Sequence, residues 1–403
     1  MTSNVQRTIR SYYLFSSFSD LLIIGPIIVL YMLGKGLSFT EIMLLQSVCA
    51  LAVFLFEVPT GALADKVSRK VSLSLGALFY ALGLFLYIIG NSFIVFAIGE
   101  VIFSLGTAMK SGADTALLYD NLKYEQAESK FQEILGNGRM YMFIMQGIGS
   151  IVGAYAYTFN PDLPLWISIG FMGVTIAIIT GFDEHAFADD GEAVSETYFE
   201  QIKDSAAYVV GHRKIRAVII YAMAFFIFFR AGFWFYQPYM EAINLPVTSF
   251  GLFFFLFNMV AAFTSKRSTQ IIKLTKSYTM MFVAALVLVS FLIMGSVGVW
   301  IGAFAILLQQ VSRGLYMPVI NKYVNKHIPS SKRATILSFI SLATGLAAGV
   351  TLPLIGWLKD NNDIFSSHLT LAFVMFIVFI GVNAYLNRQL SSKEPDKSEV
   401  ELT

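Results

Sequence analysis

The chain has 403 residues, 56% of them hydrophobic and only 13% charged, with a mean hydropathy of +0.68. A soluble globular domain carries about a quarter charged residues, so this composition belongs to an integral membrane protein. With a formal charge of +2 nothing suggests nucleic-acid binding, and the single cysteine, Cys49, excludes an internal disulfide and a cysteine metal cluster.

In chain order, apolar runs near the ~20 residues needed to cross a bilayer fall at roughly 11–33, 39–60, 69–90, 93–117, 138–160 and 163–182. Six more follow a polar interval, at roughly 215–240, 247–265, 277–296, 298–321, 334–357 and 367–387. Such runs are too long for barrel strands, so all twelve are predicted to be helices, which satisfy their own backbone in lipid. Arg7 and Arg10 precede a full-length first run, which reads as a first span and not as a removable signal peptide. Links on one side carry Lys66, Arg69, Lys70, Lys123, Lys130, Arg213 and Lys214, with the basic residues of 266–276 and 322–333. Links on the other side carry only Lys35 and Lys359, which predicts that both termini are cytoplasmic. The domains are therefore expected at 1–182, a cytoplasmic linker at 183–214, a second bundle at 215–390 and a polar tail at 391–403. Within the linker, 195–210 reads equally as an amphipathic surface helix or as a solvated tether.

Between the second and third spans lies Gly61-Ala62-Leu63-Ala64-Asp65-Lys66-Val67-Ser68-Arg69-Lys70. This resembles the loop of the major facilitator superfamily whose pattern runs Gly-x-Leu-Ala-Asp-x-x-Gly-Arg-Lys. Gly61, Leu63, Ala64, Asp65, Arg69 and Lys70 match it, and Ser68 departs from it. The resemblance implies an all-α fold of twelve transmembrane helices in two six-helix bundles, each built from 3+3 inverted repeats, with a substrate cavity near the bilayer midplane. It further implies a conformational lock in which Asp65 sits against the start of span 11 near Ala334 and Thr335, and Arg69 pairs with Asp114 or Asp120. Glu57 and Lys70 flank that lock, and Glu57-Val58-Pro59 is expected to end the second helix. A small-molecule substrate, protons and the lipid bilayer are the implied partners of a monomer in the cell membrane, with no nucleic acid and no cofactor.

Ionisable groups inside spans are costly, which makes each a functional candidate. Asp20 lies about 13 Å into the first span at ~1.5 Å per residue. Glu100, Ser104, Thr107, Ser111 and Asp114 recur at three and four residues, a polar stripe expected to line water. Arg230, Trp234 and Gln237 share a face of span 7, and span 10 offers Gln309, Gln310, Arg313 and Tyr316. Asp20 and Glu100 are expected to face a shared cavity, with Arg230 as electrostatic partner and at least one carboxyl exchanging a proton as its surroundings alternate. The plain alternative is a set of fixed ion pairs, and for Arg313 a structural role is expected.

Two departures bear on the subclass. Many proton-driven drug exporters carry Arg-x-x-Gln-Gly on span 4, where this chain has Ile102-Phe103-Ser104-Leu105-Gly106. Their Gly-x-x-x-Gly-Pro run on span 5 is met by Gly149-Ser150-Ile151-Val152-Gly153-Ala154, a close-packing motif without the proline. Aromatic residues crowd spans 7 and 8, from Phe225 to Tyr236 and from Phe253 to Phe257, which suits an amphipathic or aromatic substrate. No phosphate-binding glycine loop is present, and no nucleophile–base pair marks an enzyme. The expected function is alternating-access export of small amphipathic compounds in exchange for protons. The rivals are a metabolite importer or proton symporter, and a non-transporting membrane sensor or scaffold on the same fold.

Overall fold

The computed structural model describes residues 3–66, 68–184, 207–327 and 333–390, so most of the linker and the whole tail lie outside the described residues. Among the described residues there are helices and turns and no strand. Nine stretches of the described residues are long and apolar enough to cross a membrane, and one of them, Val247–Ser296, holds two helices. The chain divides into two compact units, Met1–Glu192 with Pro246–Leu256, and Ala193–Leu245 with Phe257–Thr403.

The first unit contains α1 (Ser3–Phe18), α2 (Ile28–Gly34), α3 (Phe39–Lys66), α4 (Arg69–Ile89), α5 (Phe93–Lys110), α6 (Ala113–Tyr124), α7 (Phe131–Phe159) and α8 (Leu163–Thr180). Two of the expected spans are broken. The first run unwinds between Phe18 and a 3-10 turn at Gly25–Ile27, because Pro26 lacks an N–H and biases Gly25 away from helical geometry. The fourth run breaks between Lys110 and Ala113, where Gly112 adopts φ +78°, a left-handed conformation that glycine reaches without a Cβ penalty. Pro59 does not end the second span as expected. α3 continues through it to Lys66, and the Thr60 hydroxyl donates to the Phe56 carbonyl at 2.7 Å and the Glu57 carbonyl at 3.3 Å, serving carbonyls near the missing N–H.

α4 and α5 approach closely where glycines face each other. A methyl on Gly76 would stand 3.1 Å from the Gly106 carbonyl oxygen, and one on Gly83 would stand 2.9 Å from that of Gly99. Such small-residue contacts bring helix backbones together where apolar lipid supplies little drive for association. One end of the unit is closed by a cluster of Tyr12, Phe15, Leu73, Leu117, Leu118, Leu122 and Phe182. At the far end of α4, the Tyr31 hydroxyl and the Lys35 ammonium donate to the carbonyls of Tyr87 (3.1 Å) and Ile88 (2.9 Å), and both side chains also meet Asp162. A cation there suits the negative end of the helix.

The second unit contains α9 (Arg213–Ala242), the larger part of α10 (Val247–Thr275), α11 (Thr279–Ser296), α12 (Ile306–His327), α13 (Arg333–Asn361) and α14 (Ile364–Leu390). α12 is preceded by a 3-10 turn at Trp300–Ala305, and its polar side chains keep it out of the set of apolar spans. α9 buries Tyr221, Phe225, Phe235, Tyr236 and Tyr239 in the bundle, so these aromatics are core and not cavity lining. α14 starts at Asp363, whose Oδ1 accepts from the backbone N–H groups of Phe365 (2.9 Å) and Ser366 (3.0 Å). The Ser366 hydroxyl and these amides hold the Asp363 carboxyl below the usual carboxylate range.

Candidate functional site

The break in the first span is the structural centre of the first unit. The Ser19 N–H still donates to the Phe15 carbonyl at 2.8 Å and the Leu21 N–H to that of Phe18 at 3.1 Å, but past them the helical ladder stops and neighbouring helices supply two of the partners. The Ile23 N–H donates to Ser168 Oγ of α8 at 3.2 Å, and Gln146 Nε2 of α7 donates to the Asp20 carbonyl at 3.4 Å. Gly149 and Gly153 of α7 make the room. A methyl at 149 would stand 2.8 Å from Leu21 Cδ1 and 2.9 Å from Ile23 Cγ2, and one at 153 would overlap the Ile23 carbonyl oxygen. The Gly-x-x-x-Gly run therefore seats an unwound strand of chain.

Asp20 sits in that break. Its carboxylate meets the Lys110 ammonium at 2.6 Å, and the same ammonium donates to Ser19 Oγ at 2.9 Å and lies 5.7 Å from the centre of the Phe15 ring. Both broken spans thus converge, since Lys110 is the last residue of α5 and Asp20 follows the end of α1. A cation at the C-terminal end of α1 is favoured by the helix dipole. Asp114, just past the second break, lies within electrostatic reach of both Lys110 and Asp20. Thr107 meets the Tyr80 hydroxyl and donates to the Phe103 carbonyl at 3.3 Å. The Asp20 side chain remains 32% exposed and that of Lys110 15%, so the pair is not sealed inside the protein.

Glu100 is elsewhere. It is buried, accepts a hydrogen bond from the Tyr87 hydroxyl of α4, and precedes Lys110 by ten residues, about 15 Å along a helix. The expected shared pocket for Asp20 and Glu100 is corrected accordingly. Ser104 is fully buried and its hydroxyl has no partner among the described residues, while Ser111 is exposed at the break. The stripe was expected to line water along one face. The structure buries its outer half against α4 and turns Asp114 onto a separate helix, because Gly112 resets the helical phase.

The cation that meets Asp20 is Lys110, where the sequence suggested Arg230. Arg230 lies in the second unit, its guanidinium 5.8 Å from the Phe233 ring centre and 5.7 Å from that of Trp234. Trp234 and Gln237 are buried. Gln309 and Gln310, also buried, belong to one hydrogen-bonded chain through four helices. Gln309 donates to Ser290 Oγ at 2.9 Å, Tyr236 to Gln309 Oε1 at 2.9 Å, Gln310 to the Tyr236 hydroxyl at 3.1 Å, and Arg313 to Asn258 Oδ1 at 3.1 Å and Gln310 Oε1 at 3.5 Å. A connected buried network of this kind specifies one arrangement of its helices, because each member left unpaired is costly.

At the basic end of the first unit, Arg69 makes an ion pair with Asp120 of α6, one of the two acids named from the sequence. Ser68, the residue that departs from the family pattern, is the N-cap of α4 and accepts from the Val71 N–H at 3.1 Å. Glu184 reaches the same helix start, accepting from the Ser68 hydroxyl and the Arg69 N–H, each at 2.6 Å. Lys70 donates to the Phe182 carbonyl at 2.6 Å, just past the end of α8. Glu57 contributes its carbonyl to Thr60 in α3. Gly61 and Asp65 fall in 61–67 and Ala334 and Thr335 in 325–335, stretches whose side chains lie outside the described residues.

Lys110, Ser19, Tyr87 and Ser290 were not singled out from the sequence, while Tyr236 was read only as one of the crowded aromatics and Glu184 only as an acid of the linker. Lys110 had a readable signal, since it lies three residues after Thr107 on the polar stripe, and Gly25-Pro26 inside an apolar run signalled the break.

A family model described as Major Facilitator Superfamily matches residues 12–302 and 273–402. The "Uncharacterized MFS-type transporter YxaM" of Bacillus subtilis is 21% identical over 347 residues, 82% of this chain and 84% of that protein. The "Quinolone resistance protein NorA" of Staphylococcus aureus is 22% identical over 179 residues, 44% of each chain. Among solved structures, the nucleoside transporter NupG overlays with a TM-score of 0.76 at 13% identity, covering 97% of this chain and 100% of that one. A D-xylose-proton symporter overlays at 0.68 and 12% identity, with 98% of each chain covered. At such identities these two likenesses are of fold.

Proposed function

Since the chain belongs to the Major Facilitator Superfamily and is a multi-pass membrane transporter, we propose that it is a secondary active transporter exporting small amphipathic molecules in exchange for protons. The observation that carries this reading is Asp20, held in an unwound stretch of the first span and bonded to a lysine from a second broken span. Discontinuous helices in transporters place free backbone groups and charges where substrate and coupling ions bind. A carboxylate that alternates between Lys110 and a proton changes its charge state as the site opens to one side of the membrane and then the other. The likeness to NorA, a quinolone resistance protein, supports the export reading. The basic residues of the links support a cell-membrane orientation with both termini cytoplasmic. The Arg69–Asp120 ion pair supports a lock that biases the closed state without touching substrate, the lock the sequence motif implies.

A second reading, import of a metabolite together with protons, is favoured by the fold likeness to a D-xylose-proton symporter. Purified protein in vesicles, tested with a panel of amphipathic compounds under an imposed pH gradient, separates the two. Movement of a compound against the proton flux is expected. Movement with the flux establishes the symport reading, and absence of gradient-driven movement and of counterflow across the panel overturns the transport mechanism proposed.

A further inference from the structure

The Asp20 site is occupied, and the occupant belongs to the chain itself. The Lys110 ammonium is bound by a carboxylate at 2.6 Å, a hydroxyl oxygen at 2.9 Å and an aromatic face at 5.7 Å. The C-terminal end of α1 adds the negative pole of a helix, and Asp114 a second acidic field. Carboxylate, hydroxyl and ring face together form a recognition site for a primary ammonium group. Asp20 also keeps 32% of its side chain open. Lysine carries its charge on a flexible four-carbon stem, which lets the ammonium leave without disturbing α5.

We infer that Lys110 is a tethered ligand in an ammonium-binding site, and that the primary amine of an apolar-bodied ligand displaces it from Asp20 and Ser19. This deepens the export reading above, because it names the substrate chemistry of the same site, amphipathic primary amines. Competition between ligand and lysine ties binding to a change in the contact between the two broken spans, since Lys110 released from Asp20 no longer joins the end of α5 to the end of α1.

The probe is n-butylammonium, which reproduces the lysine side chain beyond its backbone. Binding is measured by calorimetry on the full chain in detergent with no pH gradient. Lys110→Ala is expected to bind butylammonium at one saturable site at least tenfold more tightly than the wild type, and to gain thermal stability from it. Lys110→Arg, which keeps the site filled, is expected to bind as weakly as the wild type. Adding Asp20→Asn to Lys110→Ala is expected to abolish the gain. Should Lys110→Ala fold poorly, Lys110→Gln serves the same purpose, read as butylammonium-dependent stabilisation. Equal affinity in the wild type and both lysine-removed variants, or a gain that survives Asp20→Asn, overturns the inference. A wild type that transports nothing leaves this binding result intact, and loss of the binding leaves proton-driven transport of other compounds intact.

Discussion

Gly153→Ala is expected to disrupt the first unit more than a methyl group added to an open helix face does by a wide margin. The new methyl would overlap the Ile23 carbonyl oxygen, and that backbone is not free to retreat, because the Ile23 N–H is held by Ser168 Oγ at 3.2 Å. Neighbouring Gly149 is already filled around by Leu21 and Ile23. Overpacking of this kind costs roughly 1–3 kcal/mol or more, and relief requires moving residues 21–23, which moves Asp20. Gly170→Ala and Gly173→Ala in α8 are the controls. A methyl there meets nothing within 4 Å, and the better helix propensity of alanine is worth about 0.5–1 kcal/mol. Thermal unfolding in detergent should show a marked drop for Gly153→Ala and none for the controls. If Gly153→Ala is as stable as Gly173→Ala, the unwound segment is not seated on α7.

The second large effect is expected where Asp20 meets Lys110. Asp20→Asn leaves an ammonium only 15% exposed with a hydroxyl and a ring in place of its carboxylate. Breaking a fully buried pair from one side costs about 3–5 kcal/mol. Because Asp20 is about a third exposed, a loss of about 1–3 kcal/mol is expected once solvent screening is allowed for. Lys110→Met removes the other partner, and the double variant removes both charges together. The double variant should therefore be more stable than the sum of the two single losses predicts, by about 1 kcal/mol or more. Strict additivity in a double-mutant cycle by thermal or chemical unfolding would mean that the two side chains do not stabilise each other.

How much of this was readable from the sequence follows from what periodicity and composition can encode. The apolar runs coincide with helices because a chain in lipid has few other ways to satisfy its backbone. The Gly61–Lys70 motif pointed to Arg69 and an acid on the fourth span, and Asp120 meets it. Continuity of helices was harder to read. Gly25-Pro26 and Gly112 sit inside longer apolar runs, so an average over a whole span passes over the breaks that create the site. Spacing also predicts which residues share a helix face but not which neighbour that face meets. Glu100 and Ser104 are on one face as expected, yet α4 covers it and Tyr87 takes the Glu100 carboxylate. Lys110 is ninety residues from Asp20 in the chain, and only the fold brings a residue of one broken span to the end of another. Tyr236 shows the same limit, since one aromatic among many on α9 turned out to be the hinge of a polar network with Gln309 and Gln310.

The account turns on a carboxyl in the unwound first span taking up and releasing the coupling proton, and vesicle transport by Asp20→Asn beside Glu100→Gln addresses it most directly. Asp20→Asn is expected to retain counterflow exchange of a transported compound that carries no amine while losing at least tenfold in accumulation driven by a pH gradient. Glu100→Gln, altered in a contact between α4 and α5, is expected to keep gradient-driven accumulation. Undiminished accumulation by Asp20→Asn, with counterflow also intact, would contradict the assignment of Asp20.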